Sequence, residues 1–166
     1  MKYLLIISIL LLVTSFPSKA QFAGFGTDTS QKIVEDSIGL FWSSDSKIIE
    51  NDQLVSIVAP KGNDIEKTIL KNEDALRIVS DSYIVGNAMW CAIEWKPYYL
   101  DYMQKQREKE YTQVQIAYIG FLFGAGQHEL FRTLEASGQS CPSDIHQNIE
   151  KLLTSSKTYA GGSDGA

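Results

Sequence analysis

Basic residues, cysteine, histidine and proline are all scarce in this 166-residue chain, which has 15 Lys and Arg, 2 Cys, 2 His and 4 Pro. Each shortage removes a class of function. Twenty Asp and Glu outnumber the bases and leave a net charge of −5. A face that holds nucleic acid needs clustered Lys and Arg, so nucleic acid is not the expected partner. Two Cys do not make a structural zinc site. His128-Glu129 is not a metalloprotease motif, because residue 132 is Arg where a second His is required. Neither a phosphate-binding glycine loop nor a Gly-x-Ser-x-Gly nucleophile elbow occurs. No metal and no cofactor is therefore expected. With 44% hydrophobic residues and 12 Gly, the composition is that of a globular domain and not of a collagen or a long disordered chain. The length suits one domain.

The clearest signal present is an address. Met1–Ala20 has the form of a secretory signal peptide: Lys2, the apolar run Leu4–Val13, the helix breaker Pro17, then Ser18-Lys19-Ala20 before Gln21. The apolar run is half the length a spanning helix needs, about 20 residues. Cleavage is the reading, with no membrane span afterwards. Trimming removes two lysines and no acid, so the net charge moves from −5 to −7. The expected location is the bacterial periplasm, with secretion as the alternative. An even cysteine count in an exported chain reads as one disulfide, Cys91–Cys141.

The segments that follow are a flexible lead-in (21–30), one helical domain (31–157) and a flexible tail (158–166). Gln31–Ser43 places Ile33, Val34, Ile38, Phe41 and Trp42 at helical spacing, with Asp28, Thr29 or Ser30 as candidate caps. Ser44–Gln53 reads as a polar turn. Leu54–Ala59 is β-branched but lacks a visible partner strand, so it reads as extended chain or a short helical turn. Asn63 with Glu66 has capping-box form. From Asn72 to Ile93, Leu76, Val79, Tyr83, Gly86, Trp90 and Ile93 form a core stripe, and Glu73, Arg77, Ser80, Asp81 and Asn87 a polar side. Pro97 opens the next helix. Thr112 and Gln115 form a second capping box before Val114–Gly126, a segment apolar on nearly every side and so the expected centre of a bundle. Gly120 and Gly124, four apart, are candidates for close helix approach. Cys141-Pro142 leads into a last helix with Ile145, Ile149, Leu152 and Leu153 inward. The fold expected is all-α, a four- or five-helix antiparallel bundle with one disulfide.

Chemistry concentrates in Met89–Tyr99, where Trp90, Trp95, Tyr98 and Tyr99 surround Glu94. One reading is an aromatic core around the disulfide, with Glu94 capping a helix or pairing with Lys96. Another is a binding surface built on Trp90, Trp95, Tyr98 and Tyr99, joined by Gln127 and His128 at the end of the greasy segment. A third is catalysis: a Glu against Trp rings has the raised pKa of a general acid, with Asp101 or His128 assisting, as in a small hydrolase of cell-wall or extracellular polymer. A structural subunit of an envelope assembly is a further alternative.

Ala117-Tyr118-Ile119-Gly120 with Gly124, then Cys141-Pro142, Gln147 and Leu152-Leu153, resembles the small exported helical immunity proteins of the Tai/Rap type, over about the last third of the chain. Those neutralise peptidoglycan amidases delivered by type VI secretion. The resemblance implies a Tyr-x-x-Gly helix joined by a disulfide to a Cys-Pro helix start; here Cys91 stands in for the first cysteine of that pattern. In architecture alone the chain also resembles HdeA-type acid chaperones. The function expected is a non-catalytic binding or interaction protein of the periplasm (inhibitor, immunity protein or chaperone) with a protein partner, basic if charge decides.

Overall fold

Five helices dominate the computed structural model, which describes residues 23–43, 47–50, 53–59 and 69–160: α1 (Thr27–Ser43), α2 (Asn72–Trp90), α3 (Lys96–Arg107), α4 (Gln113–Ala136) and α5 (Ser143–Ala160). They form an all-α helical bundle with the Cys91–Cys141 disulfide in place. The leader segment, the Asn63–Glu66 capping signal and the chain beyond Ala160 lie outside the described residues.

Helix α4 is the axis of the core. Its capping box is formed as the sequence indicates: the Gln115 N–H donates to Thr112 Oγ1 at 3.2 Å, and the Thr112 N–H to Gln115 Oε1 at 2.9 Å. Ile116, Tyr118, Ile119, Leu122, Phe123, Gly126 and Leu130 are then buried. Helices α1, α2 and α3 and the strand β1 (Lys47–Glu50) pack around it. At the far end Gly138 takes φ +68° and releases the chain. Pro97 lies in the first turn of α3, where its missing N–H breaks no helical bond.

Four local readings are corrected. The run from Leu54 does have a partner. Strand β2 (Gln53–Ser56) pairs antiparallel with β1, Lys47 opposite Ser56 and Glu50 opposite Gln53. Only two residues connect the strands, and the Ile48-Ile49 pair that makes β1 is too short a signal to stand out between polar neighbours. Ser30 is not a cap. Helix α1 begins earlier, at Thr27, and Ser30 is buried, sharing a 2.7 Å hydrogen bond with the Tyr83 hydroxyl. Asn87 is not on a wet face. It is fully buried, and its Nδ2 donates to the carbonyls of Ala23 at 2.8 Å and Tyr83 at 2.7 Å. α2 packs against α1 and α4 on one side and α5 on another, so its buried arc is wider than one stripe.

The fourth concerns the glycines. A β-carbon on Gly124 would meet nothing within 4 Å, and one on Gly120 would meet the Tyr99 hydroxyl at 3.3 Å and Met103 of α3. The close helix approach is made instead by Gly86 of α2 and Gly126 of α4. A β-carbon on Gly86 would lie 2.9 Å from the Gln127 carbonyl oxygen, and one on Gly126 would collide with the Ser82 hydroxyl.

Candidate functional site

The stretch between α2 and α3 is built as a closed turn. Cys91 ends α2, and Ala92 adopts φ 55°. The Ala92 N–H donates to the Met89 carbonyl at 3.1 Å and the Ile93 N–H to the Ala88 carbonyl at 2.8 Å. This is the double bond pattern of a Schellman cap, with alanine where glycine is usual. A left-handed alanine costs about 1–2 kcal/mol, and the turn is held by what surrounds it. Cys91 is tied to Cys141 with their Cα atoms 5.1 Å apart. The Trp90 indole N–H donates to the Gln139 carbonyl at 3.1 Å. Ala88, Cys91, Ile149 and Leu153 form a small second core against which Trp90, Ile93, Trp95 and Tyr98 pack.

This arrangement leaves a groove of about 890 Å³ between the turn and α5. Ile93 and Leu153 give it apolar floor, and Glu94, His146, Glu150 and Lys151 give it charge. Glu94 is exposed, and its Oε1 accepts the Lys96 N–H at 3.0 Å, which satisfies a free donor at the start of α3. His146 Nδ1 lies 3.5 Å from the Glu150 carboxylate, one turn on.

The sequence candidates are thus divided. Of Glu94, Asp101 and His128, only Glu94 is among the described residues that line the groove. Asp101 pairs with Lys105 at 2.8 Å on α3, and His128 is exposed on α4. Gln127 belongs to the α2–α4 crossing, and its side-chain oxygen is buried without a hydrogen-bond partner among the described residues. Trp90, Trp95, Tyr98 and Tyr99 are each half-buried. Trp95 meets Tyr99 edge-on with ring centroids 6.3 Å apart, and Tyr99 packs on Phe123 at 5.3 Å. Their rings spend much of their area on packing. His146 and Glu150 went unselected because nothing local marks them; the disulfide brings α5 to Glu94 across more than fifty positions of sequence.

A second cluster also escaped the sequence. Asp81 of α2 accepts the Tyr102 hydroxyl at 3.4 Å. Burial raises the Asp81 carboxyl above its ordinary value, and the Tyr102 hydrogen bond, Arg77 and Lys109 only partly offset this. Burial first, and then the Asp81 charge, raises the Tyr102 and Tyr98 hydroxyls. Asp81 holds its proton more tightly folded than unfolded. Stability therefore falls as pH rises from about 3.8 through the raised value, and the full cost persists above it. Asp81→Asn keeps an acceptor for Tyr102 and removes the half-buried charge. Its thermal midpoint is expected above wild type at pH 7, with the gap closing as pH falls toward 3.8. Melting curves at several pH values check this; a gap that widens on acidification contradicts it.

Among the described residues no group of three or more His, Cys, Asp or Glu is placed to hold a metal, and no helix is long and apolar enough to cross a membrane. Comparison of the chain with protein-family models, with curated proteins and with solved structures finds no match in any of the three.

Proposed function

We propose that this chain is a non-catalytic binding protein of an oxidising space outside the cytoplasm, the bacterial periplasm, and that the groove beside Cys91–Cys141 receives a segment of a protein partner. The carrying observation is the groove itself: about 890 Å³, open, with Ile93 and Leu153 beneath a rim of Glu94, His146, Glu150 and Lys151. A wall of mixed charge over a short apolar floor matches the side chains and backbone of a peptide segment better than a small apolar ligand. The disulfide and the Schellman turn hold it in shape, which lowers the ordering cost of binding. Glu94 serves as a helix-start acceptor. That supports a structural and binding role for it over that of a general acid. Two carboxylates in the groove and the acidic mature chain favour a basic partner segment. An inhibitor or immunity protein, as the resemblance of the last third implies, acts in this way; so does a chaperone.

The test places a photo-reactive benzoyl-phenylalanine at Gln147, an exposed groove residue, and as a control at Lys32 on α1. Irradiated cells are expected to yield one stoichiometric protein adduct from position 147 and none from 32. Glu94→Lys with Glu150→Lys is expected to abolish it. No adduct at 147, or the same adducts from both positions, contradicts the reading.

A further inference from the structure

The hairpin ends in an open sheet edge. Its sheet has two strands, β1 packs on α4, and no third strand pairs with β2 among the described residues. All four residues of β2 are exposed. Glu50 stands opposite Gln53 with only two residues between them, so this pair exchanges both of its N–H···O bonds. Bonding then alternates along the strands. Gln53 and Val55 turn their backbone N–H and C=O groups to β1, and Leu54 and Ser56 turn theirs outward.

Proteins commonly defend such an edge with charge or proline. β1 has a charged residue at each end, Lys47 and Glu50. From Gln53 to Ala59 no residue is charged and none is proline. The side chains alternate as the backbone does. Ile57 is half-buried and packs against the main core, which sets its side of the segment inward. Leu54 and Val58 fall on the other side and are 72% and 80% exposed. Packing within the chain accounts for Ile57, but not for two large apolar side chains left in water beside an unpaired edge.

We propose that β2 and residues 57–59 pair antiparallel with the same segment of a second copy of this chain, closing a four-stranded sheet across a two-fold axis. A second copy is the occupant because the segment is complementary to itself. Outward backbone groups meet only outward backbone groups, so Leu54, Ser56 and Val58 face the same three residues of the other copy. Centred on Ser56, the pairing sets Leu54 opposite Val58 and Val55 opposite Ile57, and the two-fold axis repeats both matches. Centred on Val55 instead, it sets Leu54 against Ser56 and Gln53 against Ile57, and the matches are lost. No like charges oppose each other at this edge, although the chain as a whole is acidic. A hairpin alone is marginal, and a sheet of three or more strands is not. The interface uses no residue that lines the groove, so either proposal stands if the other fails.

Sedimentation of the oxidised, leader-free protein is expected to show a monomer–dimer equilibrium with a Kd of about 10–100 µM, as suits a small interface. Amide exchange at Leu54 and Ser56 is expected to slow at least about threefold between about 10 µM and about 1 mM protein. Leu54→Glu with Val58→Glu sets like charges opposite each other and is expected to weaken the dimer at least about a hundredfold. Leu54→Glu with Val58→Lys sets opposite charges together in the register centred on Ser56, and is expected to dimerise within about tenfold of wild type. Both positions are exposed, so the monomer fold is expected to be kept, which circular dichroism checks. A wild-type monomer at about 1 mM overturns the proposal and leaves the edge to an extended segment of a different protein. Undiminished dimerisation of the first double variant, or no slowing at Leu54 and Ser56 as the dimer forms, puts the interface elsewhere and overturns it too. Equal loss in the two double variants overturns the register.

Discussion

Replacing both Cys91 and Cys141 by serine is expected to lower stability by about 4 kcal/mol, the loop-closure value for the 50-residue separation they span. At a domain of this size that is a fall of about 12 °C in the thermal midpoint. It is a large share of the roughly 5–15 kcal/mol that stabilises an ordinary domain. The loss is expected to be uneven. Helix α4 is held by seven buried positions along its length, whereas α5 is anchored by Ile149 and Leu153 in the small core that contains Cys91. Hydrogen exchange on the reduced wild-type protein is therefore expected to show α5 amides exchanging through a local opening while α4 amides still require global unfolding. Coincident denaturation curves for oxidised and reduced protein would refute the energetic claim. Equal loss of protection in α4 and α5 would refute the local one. The proposed groove depends on α5 lying against the 91–95 turn, so reduction is also expected to remove the Gln147 adduct.

The second large effect is a change of sign among three glycines of the same helical bundle. Gly86→Ala is expected to destabilise by about 1–3 kcal/mol, the usual cost of overpacking. The new carbon would stand 2.9 Å from a backbone oxygen of Gln127 and 3.0 Å from Leu130 Cβ, and neither can retreat unless α4 moves. Gly126→Ala is expected to act likewise, because the Ser82 hydroxyl in its path is already committed to the Val79 carbonyl at 2.6 Å. Gly124→Ala meets nothing, so only the helical preference of alanine acts, and a gain of about 0.5–1 kcal/mol is expected. Urea titrations of the three variants decide it. A Gly124→Ala variant as damaged as Gly86→Ala would show that the helix crossing is misplaced.

Those glycines mark how far the chain could be read in advance. Spacing four apart in an apolar helix pointed to Gly120 and Gly124, yet the crossing uses Gly86 and Gly126, which lie on different helices. A pattern within one helix reports which residues share a face, and not which neighbour that face will meet. The same limit hid the hairpin, whose first strand is four residues long, and the burial of Asn87 and half-burial of Asp81 on what read as the polar side of α2.

What the sequence by itself determined is what local forces decide. The Thr112–Gln115 box starts α4, Pro97 opens α3, and the all-round apolar character of Val114–Gly126 puts α4 at the centre, because caps, missing donors and hydrophobic periodicity act within a turn or two of chain. A single sulfur bridge was likewise legible in the cysteine pair, and the bridge is formed. Tertiary structure alone decided that Glu94 would share a groove with His146 and Glu150, and that Asp81 would meet Tyr102. Each of these joins residues from different elements, and their meeting depends on how whole surfaces pack, which no short window of sequence contains.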